Sequence, residues 1–240
     1  MGEQVELRLK LDRMNPAEYY GSLGFLELLS QQDPALLSHF AGDGNVVTLV
    51  VIGDDLALPD LASLPVEALP FDDPYTAPIL VNGLRLDWWL DAFKEEASWL
   101  KTWAGTTTPE AMLENYQVLM AGFAQTQDML GSSKMTKTKS TFNLDTRASR
   151  DPIRFGYSQK DAGERSVVYP FCEFLCAIGL QNFHPFGRDL EYYTWSRPVL
   201  TSIAHAACRQ AIPGLQSKGF KAGFVKVSQG MREVSSVSEF

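Results

Sequence analysis

Cysteine is scarce in this chain: its 240 residues include three cysteines, at spacings that do not repeat. That excludes the disulfide framework of a small secreted domain and favours a reducing compartment. The first residues alternate apolar and charged side chains, so we expect no secretory signal. No apolar run approaches the roughly 18 residues that a membrane-spanning helix needs. We therefore expect a cytoplasmic protein with no membrane partner.

Motifs of catalysis and cofactor binding are also lacking. The chain has no G-x-S-x-G nucleophile elbow, no P-loop and no dinucleotide-binding glycine pattern. Because these motifs are missing, we expect no cofactor and no catalytic residues. Free cysteines are usually buried core residues, so we also expect no metal. Zinc binding stays open as an alternative for two pairs whose spacing places each on one helix face: Cys172 with Cys176, and His205 with Cys208.

What the sequence does contain is an ordinary globular composition, with 45% hydrophobic and 21% charged residues. Residues 1–53 predict a strand-helix-strand half. Residues 5–11 alternate with period two, as a half-buried strand does. Asn15 and Pro16 then have the pattern of a helix N-cap and first turn. Residues 46–53 form a continuous β-branched run, which predicts a buried strand.

Residues 54–131 predict an acidic loop, a hairpin and a helical insertion. The hairpin is predicted by two apolar runs that flank Asn82 and Gly83, the residue pair that best supplies a tight turn. Helical periodicity over residues 89–103 predicts one helix. A second helix is predicted to begin at Pro109 and to stop near Gly131.

Residues 132–240 predict a basic stretch and a second strand-helix-strand half. Short strands are predicted at residues 141–147 and 154–158, before an apolar helix near residues 167–183. A strand at 191–197, a helix at 201–212 and a final strand at 220–229 follow. The predicted fold class is α+β, with two similar halves around a helical insertion, and a ferredoxin-like fold is one arrangement with this order.

Charge is distributed unevenly along the chain. The net charge is -8, yet residues 132–160 contain seven basic and only two acidic residues. A solvated loop is one interpretation of such a run. Nucleic-acid binding is the other, because lysines among serine and threonine hydroxyls suit phosphate oxygens and neighbouring aromatic rings stack on bases. The candidate nucleic-acid-binding residues are Lys134, Lys137, Lys139, Arg147, Arg150, Arg154, Phe155 and Tyr157.

Several phrases in fixed order resemble a known family. NPAEYYGSLGFLELL, LDWWL, LKTWAG, FNLDTRASRDPIRFGYS and YPFCEFLCAIGLQNFHPF are similar to blocks of a CRISPR-associated family that accompanies type I-U (also called I-G) effector genes. That family is classed as a small variant of the effector-complex large subunit. The blocks span residues 12–186. The chain departs from the family pattern at Tyr19 and Tyr20, where members tend to have small residues.

The resemblance implies a non-catalytic subunit of an RNA-guided effector complex. Its implied partners are guide RNA and target DNA, other CRISPR effector subunits and a helicase-nuclease. No catalytic residues carry over from the family. Two alternatives remain open: a ribonuclease that processes guide RNA with His184 as the proton-transfer group, and a protein-interaction module that uses the acidic face and exposed members of four tryptophans, Trp88, Trp89, Trp99 and Trp103.

Overall fold

The computed structural model describes residues 3–88, 107–136, 145–148, 166–183, 190–228 and 231–240. Within them the chain forms helices and small antiparallel sheets, so the predicted α+β class is confirmed. The helices are α1 (Pro16–Ser30), α2 (Pro109–Met120), α3 (Pro170–Phe183) and α4 (Thr201–Ala207). The strands are β1 (Gln4–Asp12), β2 (Leu37–Ala41), β3 (Val46–Asp54), β4 (Val66–Ala68), β5 (Ile79–Val81), β6 (Leu84–Leu86), β7 (Lys134–Thr136), β8 (Ser166–Val168), β9 (Leu190–Thr194), β10 (Val199–Leu200), β11 (Lys218–Ser228) and β12 (Met231–Glu239).

The first half forms around α1 as the sequence predicts. The Asn15 side chain accepts a hydrogen bond from the backbone N–H of Ala17 at 3.3 Å, and Pro16 occupies the first turn. Strand β3 lies between β1 and β2 and is antiparallel to both, which makes β1, α1 and β2 a split β-α-β unit. Strand β2 was not predicted, because it is only five residues long and only partly apolar.

The ferredoxin-like arrangement holds for this first half only. In such a fold the strand after the second helix would extend the sheet beside β1. Among the described strands, β9 follows α3 and instead joins a separate sheet of order β12-β11-β9, while β10 pairs with β2 at the opposite edge. The sheet order is β1-β3-β2-β10. The full ferredoxin-like order is therefore corrected to a split β-α-β unit with a second three-stranded sheet.

The central segment contains the predicted hairpin. Strands β5 and β6 pair across Asn82 and Gly83, whose φ angles of 49° and 79° are both positive as a tight two-residue turn requires. Helix α2 is shorter than predicted. It ends at Met120, and Gly122 has a φ of 92°, which the helix cannot continue through.

The C-terminal segment agrees with the predictions in outline. Strands β9 and β11 overlap the predicted strands but begin one and two residues earlier, and α4 is shorter than predicted, ending at Ala207. Strand β12 was not predicted. The predicted helix at residues 89–103 and the predicted strand at residues 154–158 lie outside the described residues. Of the predicted strand at 141–147, residues 145–147 are described and contain a 3-10 turn that begins at Thr146 instead.

One hydrophobic core includes residues from all three predicted segments. Helices α1 and α3 pack against each other at its centre. Rings from α1 and from the sheet of order β12-β11-β9 meet beside them: the ring centroids of Tyr19 and Tyr192 are 4.3 Å apart, and those of Tyr192 and Phe220 are 5.5 Å apart. Among the described residues, no helix has the length and apolar character that crossing a bilayer requires.

Candidate nucleic-acid interface

The basic stretch begins on a short strand that is paired to the strand before α3. Lys134 lies opposite Val168 and Thr136 opposite Ser166, as β7 and β8 pair antiparallel. The Lys134 side chain is exposed. The pairing brings residues 136 and 166, which are thirty positions apart in sequence, side by side. The two ends of the segment that carries six of the seven basic residues of residues 132–160 are thereby paired with each other.

A second attachment point lies inside the same stretch, at Asp145 and Arg147. The Arg147 side chain turns back onto Asp145: its Nε donates to Oδ1 at 2.9 Å and its Nη2 donates to Oδ2 at 2.6 Å. This is the two-pronged geometry in which a guanidinium binds a carboxylate most strongly. The Asp145 side chain is fully buried, at 0% exposure. A buried carboxylate needs such a partner.

Helix α1 provides a second carboxylate and an amide for the same cluster. Arg147 Nη1 lies 2.5 Å from Oε1 of Glu18, which is in the first turn of α1. The side-chain amide of Asn15 donates to Asp145 Oδ1 at 2.9 Å, and its oxygen accepts from the backbone N–H of Thr146 at 3.1 Å. Residues 145–148 are therefore tied to the N-terminus of α1 by a network of charged and polar groups, here called the anchor cluster (Asn15, Glu18, Asp145 and Arg147).

Arg147 also contacts an aromatic ring and a backbone carbonyl. Its guanidinium carbon lies 3.6 Å from the centroid of the Tyr169 ring, at the entrance to α3, and its Nη2 donates to the backbone carbonyl of Leu130 at 3.2 Å. Arg147 thus contacts α1, α3 and the turn at residues 129–131. Its side chain is 26% exposed.

Burial and pairing shift the ionisation of this cluster in opposite ways. Burial raises the pKa of the Glu18 carboxyl above its usual value, although the charge of Arg147 and a hydrogen bond from the Asp12 backbone act to lower it. Burial acts to lower the pKa of the Arg147 guanidinium, but the hydrogen bonds and charge of Asp145 outweigh it and raise that pKa. Arg147 is therefore permanently charged, and two carboxylates surround it.

This geometry gives Arg147 a structural task that the sequence did not reveal. Its guanidinium donors are directed at Asp145, Glu18 and a carbonyl, so a phosphate would have to compete with buried carboxylates for them. Its contact with nucleic acid stays a prediction. The other candidates except Lys134 lie outside the described residues: Lys137, Lys139, Arg150, Arg154, Phe155 and Tyr157.

The three cysteines are free and buried. Burial raises the pKa of all three thiols, and that of Cys208 to about 12. Thiols that remain protonated are poor nucleophiles and poor metal ligands. In the part of the chain that the structure describes, no group of three or more His, Cys, Asp or Glu side chains is placed to hold a metal ion.

The described histidines have separate positions. His205 Nε2 on α4 lies 2.5 Å from Oε1 of Glu27 on α1, and the Glu27 side chain is only 6% exposed. His39 is on β2, where burial lowers its pKa. His184, the proton-transfer candidate of the ribonuclease alternative, lies outside the described residues.

Trp88, one of the four tryptophans considered for an exposed interaction face, is 8% exposed and belongs to the core. It does not offer its ring to a partner at the surface. Trp89, Trp99 and Trp103 lie outside the described residues.

Comparisons with known proteins leave the family untested. No family model, curated protein or solved structure matches this chain.

The sequence did not identify two members of the anchor cluster, Glu18 and Asp145, as site residues. Glu18 follows the N-cap Asn15 by three residues, which is the spacing of a capping box, and that signal marks Glu18 as a local partner of the helix start. Asp145 precedes Arg147 by two residues, which indicates a local ion pair. No sequence signal indicated that Asn15 and Glu18 contact Asp145 and Arg147, because the two pairs are about 130 residues apart in sequence.

Proposed function

We propose that this chain is a non-catalytic subunit of a type I CRISPR RNA-guided effector complex. In this role it contacts guide RNA, target DNA or both, and helps to recruit a separate helicase-nuclease. The complex works in the cytoplasm. The proposal rests first on the ordered blocks that resemble the type I-U family, from NPAEYYGSLGFLELL to YPFCEFLCAIGLQNFHPF.

The observation that carries the proposal further is the attachment of the basic stretch at three places. Strand β7 fixes its start, the anchor cluster fixes residues 145–148, and β8 fixes the return to α3. Binding to a phosphate backbone is stronger when the cationic segment is held in place, because less conformational entropy is lost on binding. The attachment of these described parts supports a binding surface as the role of the basic stretch.

Two of the blocks that resemble the family also meet in the anchor cluster. Asn15 and Glu18 belong to NPAEYYGSLGFLELL, and Asp145 and Arg147 belong to FNLDTRASRDPIRFGYS. The resemblance to the family therefore includes residues that contact each other in the fold. This supports one structural unit that holds the basic stretch.

Co-purification tests the proposal. The tagged chain is expressed with its genomic neighbours, and the proteins and nucleic acids that accompany it are identified by mass spectrometry and by gels before and after nuclease treatment. We expect repeated backbone subunits and a guide RNA. A chain with Lys137, Lys139 and Arg150 replaced by alanine serves as the matched sample for nucleic-acid contact.

A clean monomer without nucleic acid or subunits would overturn the proposal. Shortened guide RNA that depends on His184 would instead support the ribonuclease alternative. Recovery of protein partners alone, with no nucleic acid in any fraction, would support the interaction module.

A further inference from the structure

An apolar groove lies in the acidic central segment, remote in sequence from the basic stretch. It has a volume of about 360 Å³ and is open to solvent. One wall is the chain between β4 and β5, including Leu69, Phe71 and Pro74, and the other is the start of α2 at Pro109. A volume of this size accommodates one large apolar side chain and its neighbours.

The walls of the groove are held by the fold. The Leu69 N–H donates to the Pro78 carbonyl at 2.9 Å, so the chain between β4 and β5 closes on itself. The Asp73 side chain accepts from the N–H of Tyr75 at 3.0 Å, which sets a turn inside it. Glu110 Oε1 accepts from the outward-facing N–H of Ala68 at 3.2 Å and ties α2 to the edge of β4. A groove with fixed walls loses little entropy when it is filled.

Two aromatic rings stand exposed beside it. Phe71 lines the groove and is 48% exposed, and Tyr75 in the same turn is 43% exposed. Large exposed aromatic side chains next to an apolar depression are typical of interaction sites, since they bury much area at low entropic cost.

The charge around the groove selects the occupant. Glu110 lines the groove, and none of the described lining residues is basic. Glu67 and Asp72 are exposed, and each stands next to a lining residue in the sequence. Helix α2 adds Glu110 and Glu114 and no basic residue. An anionic rim around an apolar centre attracts a cationic partner and repels an anionic one.

We propose that this groove docks a protein segment that carries an apolar or aromatic anchor side chain flanked by lysine or arginine. The anchor enters between Phe71 and Pro109, and the flanking cations face Glu67 and Asp72. The inference concerns a protein partner and does not depend on the proposed nucleic-acid function, because none of these residues belongs to the basic stretch.

The test uses the full chain and three synthetic peptides of equal length that share one phenylalanine. They differ only in the flanking residues, which are lysine, glutamate or serine. Binding is measured by fluorescence anisotropy, and hydrogen exchange reports where the peptide protects the backbone. We expect the lysine peptide to bind, with protection confined to residues 66–79 and 107–112, and the glutamate peptide not to bind.

Two kinds of variant separate the groove from its rim. Ala68→Trp places a ring at the mouth of the groove, and Phe71→Ser removes part of one wall without changing a buried residue. Each variant should lower the affinity for the lysine peptide by about ten-fold. Glu67→Gln and Asp72→Asn should each lower the affinity for the lysine peptide by about three-fold and reduce the salt dependence of that affinity. Asp43→Asn, which removes an exposed carboxylate outside the segment that forms the groove, is the matched control and should leave affinity for the lysine peptide unchanged.

Four results would overturn the proposal. They are no binding of the lysine peptide, equal binding of all three peptides, affinity that is unaffected by both Ala68→Trp and Phe71→Ser, and an equal loss in Asp43→Asn. Association of the chain with itself that the lysine peptide displaces would also overturn it, since the groove would then take a second copy of the chain.

Discussion

Gly24 of α1 and Gly179 of α3 pack directly against each other where the two helices cross. A Cβ built on Gly24 would lie 2.9 Å from the backbone nitrogen of Gly179, and one built on Gly179 would lie 2.7 Å from that of Gly24. Each Cβ would also overlap a carbonyl of the other helix, that of Leu175 or Tyr20. The two helices therefore meet here backbone against backbone, and this contact depends on the absence of two side chains.

Gly24→Ala and Gly179→Ala should each destabilise the protein by about 3 kcal/mol. The added methyl meets helix backbone, which cannot move aside as a flexible side chain does, so the helices must separate and lose packing. Urea unfolding followed by circular dichroism measures the change. Gly131→Ala is the matched control, because a Cβ there meets nothing within 4 Å. Equal stability of the Gly24 and Gly131 variants would contradict the close crossing.

Arg147→Ala should cost about 3 to 5 kcal/mol of unfolding free energy. The substitution leaves the buried carboxylate of Asp145 and the Glu18 carboxylate without their cation, and an uncompensated buried charge is strongly destabilising. Arg8→Ala removes another arginine from an ion pair, that with Glu6, but there the side chains are 57% and 43% exposed. This control should change stability by less than about 1 kcal/mol. A loss of similar size in both variants would refute the structural task of Arg147.

Replacing Lys137, Lys139 and Arg150 together by alanine should weaken binding to DNA or RNA to a similar degree across sequences. The contacts are with the phosphate backbone, so the slope of log affinity against log salt should also become flatter. A matched triple variant removes three exposed cations elsewhere, Arg8, Lys10 and Lys221, and should keep the original slope. If the slope of the first variant is unchanged, the basic stretch does not bind nucleic acid.

Stability should fall as the pH rises above about 9. Burial raises the pKa of Cys208 to about 12 in the folded protein, whereas an unfolded thiol ionises near pH 9. Between these values the unfolded state binds fewer protons, so the contribution of this thiol decreases by about 1.4 kcal/mol per pH unit.

Urea unfolding near pH 8 and near pH 10 measures this change. Cys208→Ala removes the titrating thiol and should show a smaller drop between the two pH values. The comparison isolates the thiol from the buried tyrosines, whose pKa values are also raised. An identical drop in both proteins would show that Cys208 is not protected from ionisation in the folded state.

Local patterns were enough for many single elements. The N-cap at Asn15, the hairpin at Asn82 and Gly83 and the start of α2 at Pro109 all follow from short-range geometry, in which neighbouring residues satisfy one another. The period-two pattern of β1 and the apolar run of α3 depend only on which faces must be buried. These features were predicted and are confirmed.

Elements whose stability comes from distant partners were missed or mistaken. Strands β2, β7 and β8 are three to five residues long, and each exists because a partner strand supplies its hydrogen bonds. Helix α2 was predicted ten residues too long because its apolar periodicity continues beyond Gly122, where the backbone leaves the helical region. The ferredoxin-like order failed because strand pairing at the edge of a sheet has no local signature.

The candidate site likewise has features that the sequence predicts and features that depend on the tertiary structure. The sequence by itself determined the net charge, the position of the basic stretch along the chain and the helix start at Asn15, since these are properties of residues and near neighbours. Only the tertiary structure decided that Glu18 and Asp145 share Arg147 and that the groove forms between β4, β5 and α2. Both depend on contacts between residues far apart in sequence. A buried charge needs an opposite charge beside it, and a groove forms only where separate segments pack together.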